Sequence, residues 1–173
     1  MASETRRTPL NVMIRPIRLA DEPFLWQCMA LAAHEPSAEA VAAIPSAARY
    51  LTGWGRPGDF GLIAEVDDVP GGAIWARQFT PAENPHVYVD EHTPELVLAV
   101  LPELRGRGVG RRLLHALAER ARNRHPALCL TVRAQNPAMK LYERVGFERL
   151  PDADRINRLG GLSIGMVRRL TVV

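Results

Sequence analysis

Apolar and polar positions along this chain follow two rhythms, a period near two and a period near four, and the switches between them mark its elements. Val12–Leu19 reads as a strand, and Asp21 then stands where a helix N-cap belongs, ahead of a helix predicted over Glu22–Ala33. Pro36 and Pro45 interrupt the next stretch, so Ser37–Leu51 is predicted as a short, broken helix and Gly53–Asp59 as a loop. Phe60–Val66 and Ala73–Phe79 read as two strands of a hairpin joined by the turn-rich Asp67–Gly72. Pro81–Pro94 is irregular apart from a short piece at Val87–Val89.

The second half is more regular. Leu96–Leu101 is an apolar run suited to a buried central strand. Val109, Leu113, Leu117 and Ala121 recur every four residues, one stripe of an amphipathic helix ending near Asn123. Leu128–Val132 is another buried strand, and Asn136 and Pro137 supply the N-cap and first position of a further helix that Gly146 closes. Phe147–Leu150 and Leu162–Leu170 read as closing strands. The order is strand, one or two helices, two strands, a loop, then β-α-β-α-β(β). It predicts a mixed α/β (α+β) fold rather than a regular βαβ repeat. Residues 1–11 are polar and expected to be a flexible N-terminus, with 12–173 forming one domain.

Composition narrows the class. With 173 residues, 47% hydrophobic and 24% charged, the chain suits one ordinary globular domain. No apolar run approaches the ~18 residues of a membrane span, and no apolar stretch comes after Arg6 and Arg7 as a secretory signal requires. The two cysteines, Cys28 and Cys129, suggest neither a disulfide framework nor a metal site, and no metal is expected. His34-Glu35 does not extend to a metal-binding His-Glu-x-x-His. A cytoplasmic protein is the expectation. Of the 22 basic residues all but Lys140 are arginine. So broad a skew reads as composition bias, yet it also raises nucleic-acid binding as a class to weigh.

The strongest chemical signal is Arg105-Gly106-Arg107-Gly108-Val109-Gly110, between the strand at Leu96–Leu101 and the next helix. Glycines at alternate positions let backbone approach a ligand closely, and the unpaired amides entering a helix form an anion site. Arg105, Arg107, Arg111 and Arg112 surround it, and guanidinium groups suit phosphate oxygens. A pyrophosphate is the natural occupant. A P-loop would need a Gly-Lys-Ser/Thr ending that is absent, and the spacing is not the Gly-x-Gly-x-x-Gly of a dinucleotide fold.

Leu98 to Leu114 resembles the acyl-CoA signature of the GNAT superfamily, whose core Arg/Gln-x-x-Gly-x-Gly/Ala is met by Arg105, Gly108 and Gly110. The resemblance implies a central, mostly antiparallel mixed sheet flanked by helices. It implies acetyl-CoA as cosubstrate, its pyrophosphate bound by the amides of Gly106, Arg107, Gly108, Val109, Gly110 and Arg111. The strand around Ala99 and Val100 would bond the pantetheine arm, one amide near Val100 polarising the thioester carbonyl. Asn136-Pro137-Ala138-Met139-Lys140-Leu141-Tyr142-Glu143-Arg144-Val145-Gly146-Phe147 is similar to a second segment of the family. There the tyrosine, here Tyr142, protonates the departing thiolate, and Asn136 caps the helix and can touch the CoA arm. A tyrosine is also commonly a core aromatic with its hydroxyl satisfied elsewhere.

Glu95 matches the position from which the family often deprotonates the amine, usually through water. Asp90, Glu91 and His92 compete for that role, and a strand-end carboxylate facing solvent is the plain alternative. From Glu83 to Glu103 every charged side chain is acidic, a stretch that would attract a cationic amine. The expected activity is N-acetyl transfer by direct attack in a ternary complex, to an amine-bearing small molecule or peptide. Cys28 and Cys129 look like buried residues, not acyl carriers. A silent acyl-CoA sensor would keep the glycine turn and need neither Tyr142 nor a base. No recognition helix or aromatic series supports nucleic acid as a partner, no membrane partner is expected, and a homodimer is compatible with the sequence.

Overall fold

The computed structural model describes residues 8–171, and the flexible N-terminus expected at 1–11 lies mostly outside the described residues. Among the described residues there are eight strands: β1 (Val12–Pro16), β2 (Phe60–Val66), β3 (Val69–Arg77), β4 (Glu95–Val100), β5 (Ala127–Arg133), β6 (Glu148–Arg149), β7 (Arg155–Ile156) and β8 (Leu162–Arg169). Five helices join them: α1 (Glu22–Ala33), α2 (Ala38–Ala42), α3 (Pro45–Ala48), α4 (Val109–Ala121) and α5 (Ala138–Arg144). The strands form one sheet in the order β1-β2-β3-β4-β5-β8-β6, with β7 on β8. Every pairing is antiparallel except β4 with β5.

Alternation along the strands divides the core in two. Leu62, Ile74, Leu96, Leu130 and Met166 face α4 and α5, meeting the stripe of Val109, Leu113, Leu117 and Ala121. Ile63, Ala73, Trp75 and Ala99 face the opposite way, onto Leu25, Cys28 and Met29 of α1 and Val41 of α2. The sheet is therefore covered on both sides, which explains why its central strands read as apolar runs.

Several boundaries differ from the sequence pattern. β1 ends at Pro16 because Leu19–Asp21 turns into a 3₁₀ segment. Asp21 gives α1 no side-chain cap; its carboxylate accepts from both Arg15 Nη atoms and from the Arg18 N–H. The β2–β3 turn is only Asp67-Asp68, both at positive φ (51° and 67°), so Pro70, Gly71 and Gly72 belong to β3. Gly71 sits at a close approach: a Cβ there would meet Leu104 Cδ1, which would have to shift. No strand forms at Val87–Val89; Val87 is buried and lies against Gly165. Strand β7 has no counterpart in the sequence pattern, being too short to show alternation. Helix α5 does close as predicted. Gly146 adopts φ 93°, its N–H donates to Glu143 O, and the Phe147 N–H donates to Tyr142 O, the paired bonds of a Schellman ending.

Candidate functional site

Strand β4 pairs with β3 along its whole length, yet meets β5 in register only at Glu95 opposite Cys129. The Cys129 N–H donates to Pro94 O at 3.0 Å, after which the two parallel strands separate. Backbone groups on an antiparallel strand alternate in direction. The Leu101 N–H donates to Gly71 O, so odd-numbered residues of β4 face β3, while Pro94 and the even-numbered residues face β5. Leu98 and Val100 therefore turn backbone groups into the gap. Ala99, expected to bond a ligand there, has its backbone directed at β3 and offers only its side chain to the α1 face. Leu98 is the residue the sequence pattern did not single out; only the register reveals it.

The gap leads to the glycine turn. Gly106 and Gly108 hold φ of 70° and 83°, and neither would meet a neighbour if given a Cβ, so their requirement is backbone conformation and open access. The first backbone bond into α4 is Arg112 N–H to Gly108 O. The amides of Val109, Gly110 and Arg111 precede it without an intrahelical acceptor, at the positive end of a 13-residue helix. Val109 itself is buried and contributes only its amide. Gly110 is a meeting point: its Cβ position lies 3.4 to 3.7 Å from Leu141 of α5 and from Val100 and Leu98 of β4. The loop, the strand end and the tyrosine-bearing helix thus converge.

The arginines are not all aimed at this loop. Arg105 Nε donates to Val100 O at 3.1 Å, bracing the turn onto the strand. Arg107 Nη2 donates to Thr8 O at 2.6 Å. Arg107, Arg111 and Arg112 line a 780 Å³ cleft together with Gly106 and Gly108, toward Val12 and Ile14 of β1. Asn136 stands one residue ahead of Pro137, the N-cap of α5, and its Oδ1 accepts from the Ala138 N–H at 2.9 Å. Tyr142 is buried edge-to-face against Phe147, with ring centroids 5.9 Å apart. Burial alone lifts its hydroxyl to about 12, with no hydrogen-bond partner among the described residues contributing.

Glu95 occupies the opposite face. It is 3% exposed, not the solvent-facing carboxylate that was the plain alternative. Tyr50 Oη donates to its Oε2 at 2.7 Å and Thr131 Oγ1 to its Oε1 at 3.1 Å, with the Val87 backbone also bonded. Burial outweighs these bonds and raises the carboxyl to about 8. Tyr50 Oη in turn accepts from the His86 N–H at 2.8 Å. Its competitors stand elsewhere. Glu91 and His92 have side chains 80% and 69% exposed, and Asp90 closes their turn by accepting the His92 N–H. Glu83 pairs with Arg56, so the acidic stretch is dispersed and forms no single funnel. Both cysteines are buried, the Cys28 thiol pushed up to about 12 and Cys129 higher than usual, which makes neither a ready nucleophile.

Residues 24–147, from α1 through the end of α5, match the acetyltransferase (GNAT) family. The chain belongs to that family. Among solved GNAT-like folds, yncA of Salmonella typhimurium, determined with its cofactor acetyl-CoA, superposes at a TM-score of 0.69 with 20% identity, covering 94% of this chain and 96% of that one. The ribosomal-protein-alanine N-acetyltransferase of Brucella melitensis gives 0.68 with 26% identity over 91% of this chain and 99% of that one. In sequence, the mycothiol acetyltransferase of Pseudarthrobacter chlorophenolicus is 28% identical over 82% of this chain. An uncharacterized protein of Mycobacterium leprae is 42% identical over 45% of it. The chain spans 44% and 23% of the lengths of these two curated relatives. The expected mostly antiparallel GNAT fold is what the sheet has. Among the described residues no helix is long and apolar enough to cross a membrane, and no cluster of ligating side chains could hold a metal.

Proposed function

We propose that this domain transfers the acetyl group of acetyl-CoA to an amine by direct attack within a ternary complex. One observation carries the reading: a strand whose β5-facing edge is unpaired beyond Glu95 runs into a glycine turn with unpaired helix amides, and Gly110 of that turn packs against Val100 and Leu98 of the strand. The fit to acetyl-CoA is specific. A pyrophosphate needs a cradle that no Cβ fills, found at Gly106 and Gly108, and an extended arm needs backbone partners, offered by Leu98 and Val100. Acetyl-CoA supplies an activated acetyl group as a thioester.

The chain's own groups do the rest. Amides from Gly106 to Arg111 hold the phosphates, and the Val100 N–H is the donor available to a carbonyl oxygen in the gap. Glu95 takes the proton of the incoming ammonium, directly or through a water. A carboxyl that titrates near 8 is a far better base toward an amine than an ordinary one, because its proton affinity approaches that of the group it must deprotonate. Tyr50 and Thr131 fix the carboxylate from either side, and both are positioning residues that no sequence motif marked. Tyr142, with a hydroxyl unclaimed by the core, donates a proton to the leaving thiolate. Cys28 and Cys129 take no part.

The test has two stages. Calorimetry should find one acetyl-CoA bound per chain, and absence of binding to a folded sample would remove the proposal. An amine panel followed by acetyl-CoA-dependent thiol release should then find an acceptor. Tight cofactor binding with no release from any amine would favour the sensor reading instead.

A further inference from the structure

The face that carries Glu95 continues past it along β5. Arg133 lies two positions beyond Thr131, so its side chain leaves the same face roughly 7 Å further on, in the direction in which β5 parts from β4. Ser163 of β8 stands opposite Arg133, and Arg155 of β7 stands opposite Ser163, so cross-strand alignment puts all three on this face.

Arg133 Nη2 donates to Ala33 O, at the C-terminal end of α1, at 3.2 Å. Arg158, from the β7–β8 turn, donates its Nη2 to the same carbonyl at 3.1 Å and pairs with Glu35. Two guanidinium groups therefore share one carbonyl, and among the described residues only Arg158 of the two is paired with a carboxylate. Burial, and then the like charge of Arg158, lower the proton affinity of Arg133, and burial together with the charges of Arg133, Arg105 and Arg158 holds His34 toward its neutral form. Asp154, in the same connection, is committed to Arg149. Arg155 makes no ion pair among the described residues. The cluster is left at least one positive charge in excess, with guanidinium donors unclaimed, on the face of the sheet that carries Glu95.

We propose that the amine accepted here also carries a carboxylate, held by Arg133 and Arg158 while its amino group meets Glu95. The class is an amino acid, or a short peptide whose carboxylate is close to its amine. A single carboxylate matches the excess charge, and Arg158 already binds one carboxylate, that of Glu35. The proposal rests on the acetyl-transfer reading of the same site, and it reverses the expectation of an acidic approach for a simple cation.

The experiment offers each standard L-amino acid beside its carboxamide, which keeps the side chain and loses the charge. Thiol release from acetyl-CoA gives kcat/KM, and melting-temperature shifts of CoA-saturated protein report binding without turnover. At least one acid should exceed its amide by about 10–100-fold, chiefly through KM. Arg133→Met and Arg158→Met should bring that ratio close to one, and Arg133→Lys should retain part of it. Acetyl-CoA affinity, measured by calorimetry, should hold in all three variants. Amides that equal their acids throughout, or a preference that survives both methionine variants, would overturn the proposal. If acetyl-CoA binds but no amine releases thiol, acetyl transfer fails by itself, and the melting shifts still decide. Acid-selective stabilisation that Arg158→Met abolishes supports the carboxylate site, and its absence ends it.

Discussion

On the α4/α5 side of the sheet the site is made, Tyr142 apart, of backbone: unpaired amides at a helix start, two glycines at positive φ and a strand edge without a partner. On the α1/α3 side it is made of side chains brought from far apart in sequence, with Glu95 reached by Tyr50 from one direction and Thr131 from the other. Polar links hold this second side together. Arg77 and Asp59 form an ion pair at 2.7 Å with both side chains 1% exposed, and Arg77 also donates to the Arg49 and Thr52 carbonyls. A backbone site needs only local conformation and survives most substitutions around it. A side-chain site depends on every long-range contact that delivers its members.

That difference can be broken first at the ion pair. Asp59→Ala leaves the Arg77 guanidinium buried without a counter-charge, which typically costs about 3–5 kcal/mol. In a chain of this size the melting temperature should drop by roughly 6–20 °C. A drop of only a degree or two would mean that the α1/α3 side is not held by this pair.

Catalysis should be hit hardest by Tyr142→Phe. The ring and its contact with Phe147 persist, so the melting temperature and acetyl-CoA affinity should barely move while turnover falls by about 10²–10⁴-fold. Full turnover in the phenylalanine variant would refute the acid role and leave the glycine turn untouched.

Glu95→Gln sharpens the comparison through pH. If Glu95 is the base, kcat/KM should climb as pH rises through about 8, and the glutamine variant should lose that limb. Stability runs the other way. The folded state holds this proton to about 8, against a usual value of 4.5, so between these values it binds more protons than the unfolded chain. The contribution is fully present below 4.5 and declines as pH rises toward 8. Melting curves across that window should show the wild type losing stability relative to Glu95→Gln. Parallel curves would mean that the carboxyl titrates normally.

The smallest change is expected at Gly108→Ala. A φ of 83° costs an alanine about 1–2 kcal/mol, and no neighbour obstructs the methyl group. If the phosphates are held at this turn, acetyl-CoA affinity should weaken by more than this strain alone explains. Unchanged affinity by calorimetry would place the phosphates elsewhere.

The second half of the chain announced itself. The stripe from Val109 to Ala121, the Asn136-Pro137 helix start, the Gly146 ending and the Arg105–Gly110 turn are local patterns, in which each residue's role is set by neighbours within a helical turn. Other features could not be read this way. The β2–β3 turn is shorter than its sequence suggests because Gly71 looks like a turn residue, when it packs closely against Leu104, more than thirty positions away. Glu95 could be named from its place on the strand, but neither its burial nor its partners could. Tyr50 lies in a proline-broken stretch with no periodicity to betray it.

By itself, then, the sequence determined most of the elements, the glycine turn ahead of α4 and the candidate acid, because hydrophobic period, capping and glycine conformation act over a few residues. Only the tertiary structure decided which edge of β4 stays open, that Leu98 rather than Ala99 faces the gap, and that Arg133 and Arg158 converge on α1. Strand register and the raised proton affinity of a buried carboxyl are products of packing between distant segments. No local stretch of chain encodes them.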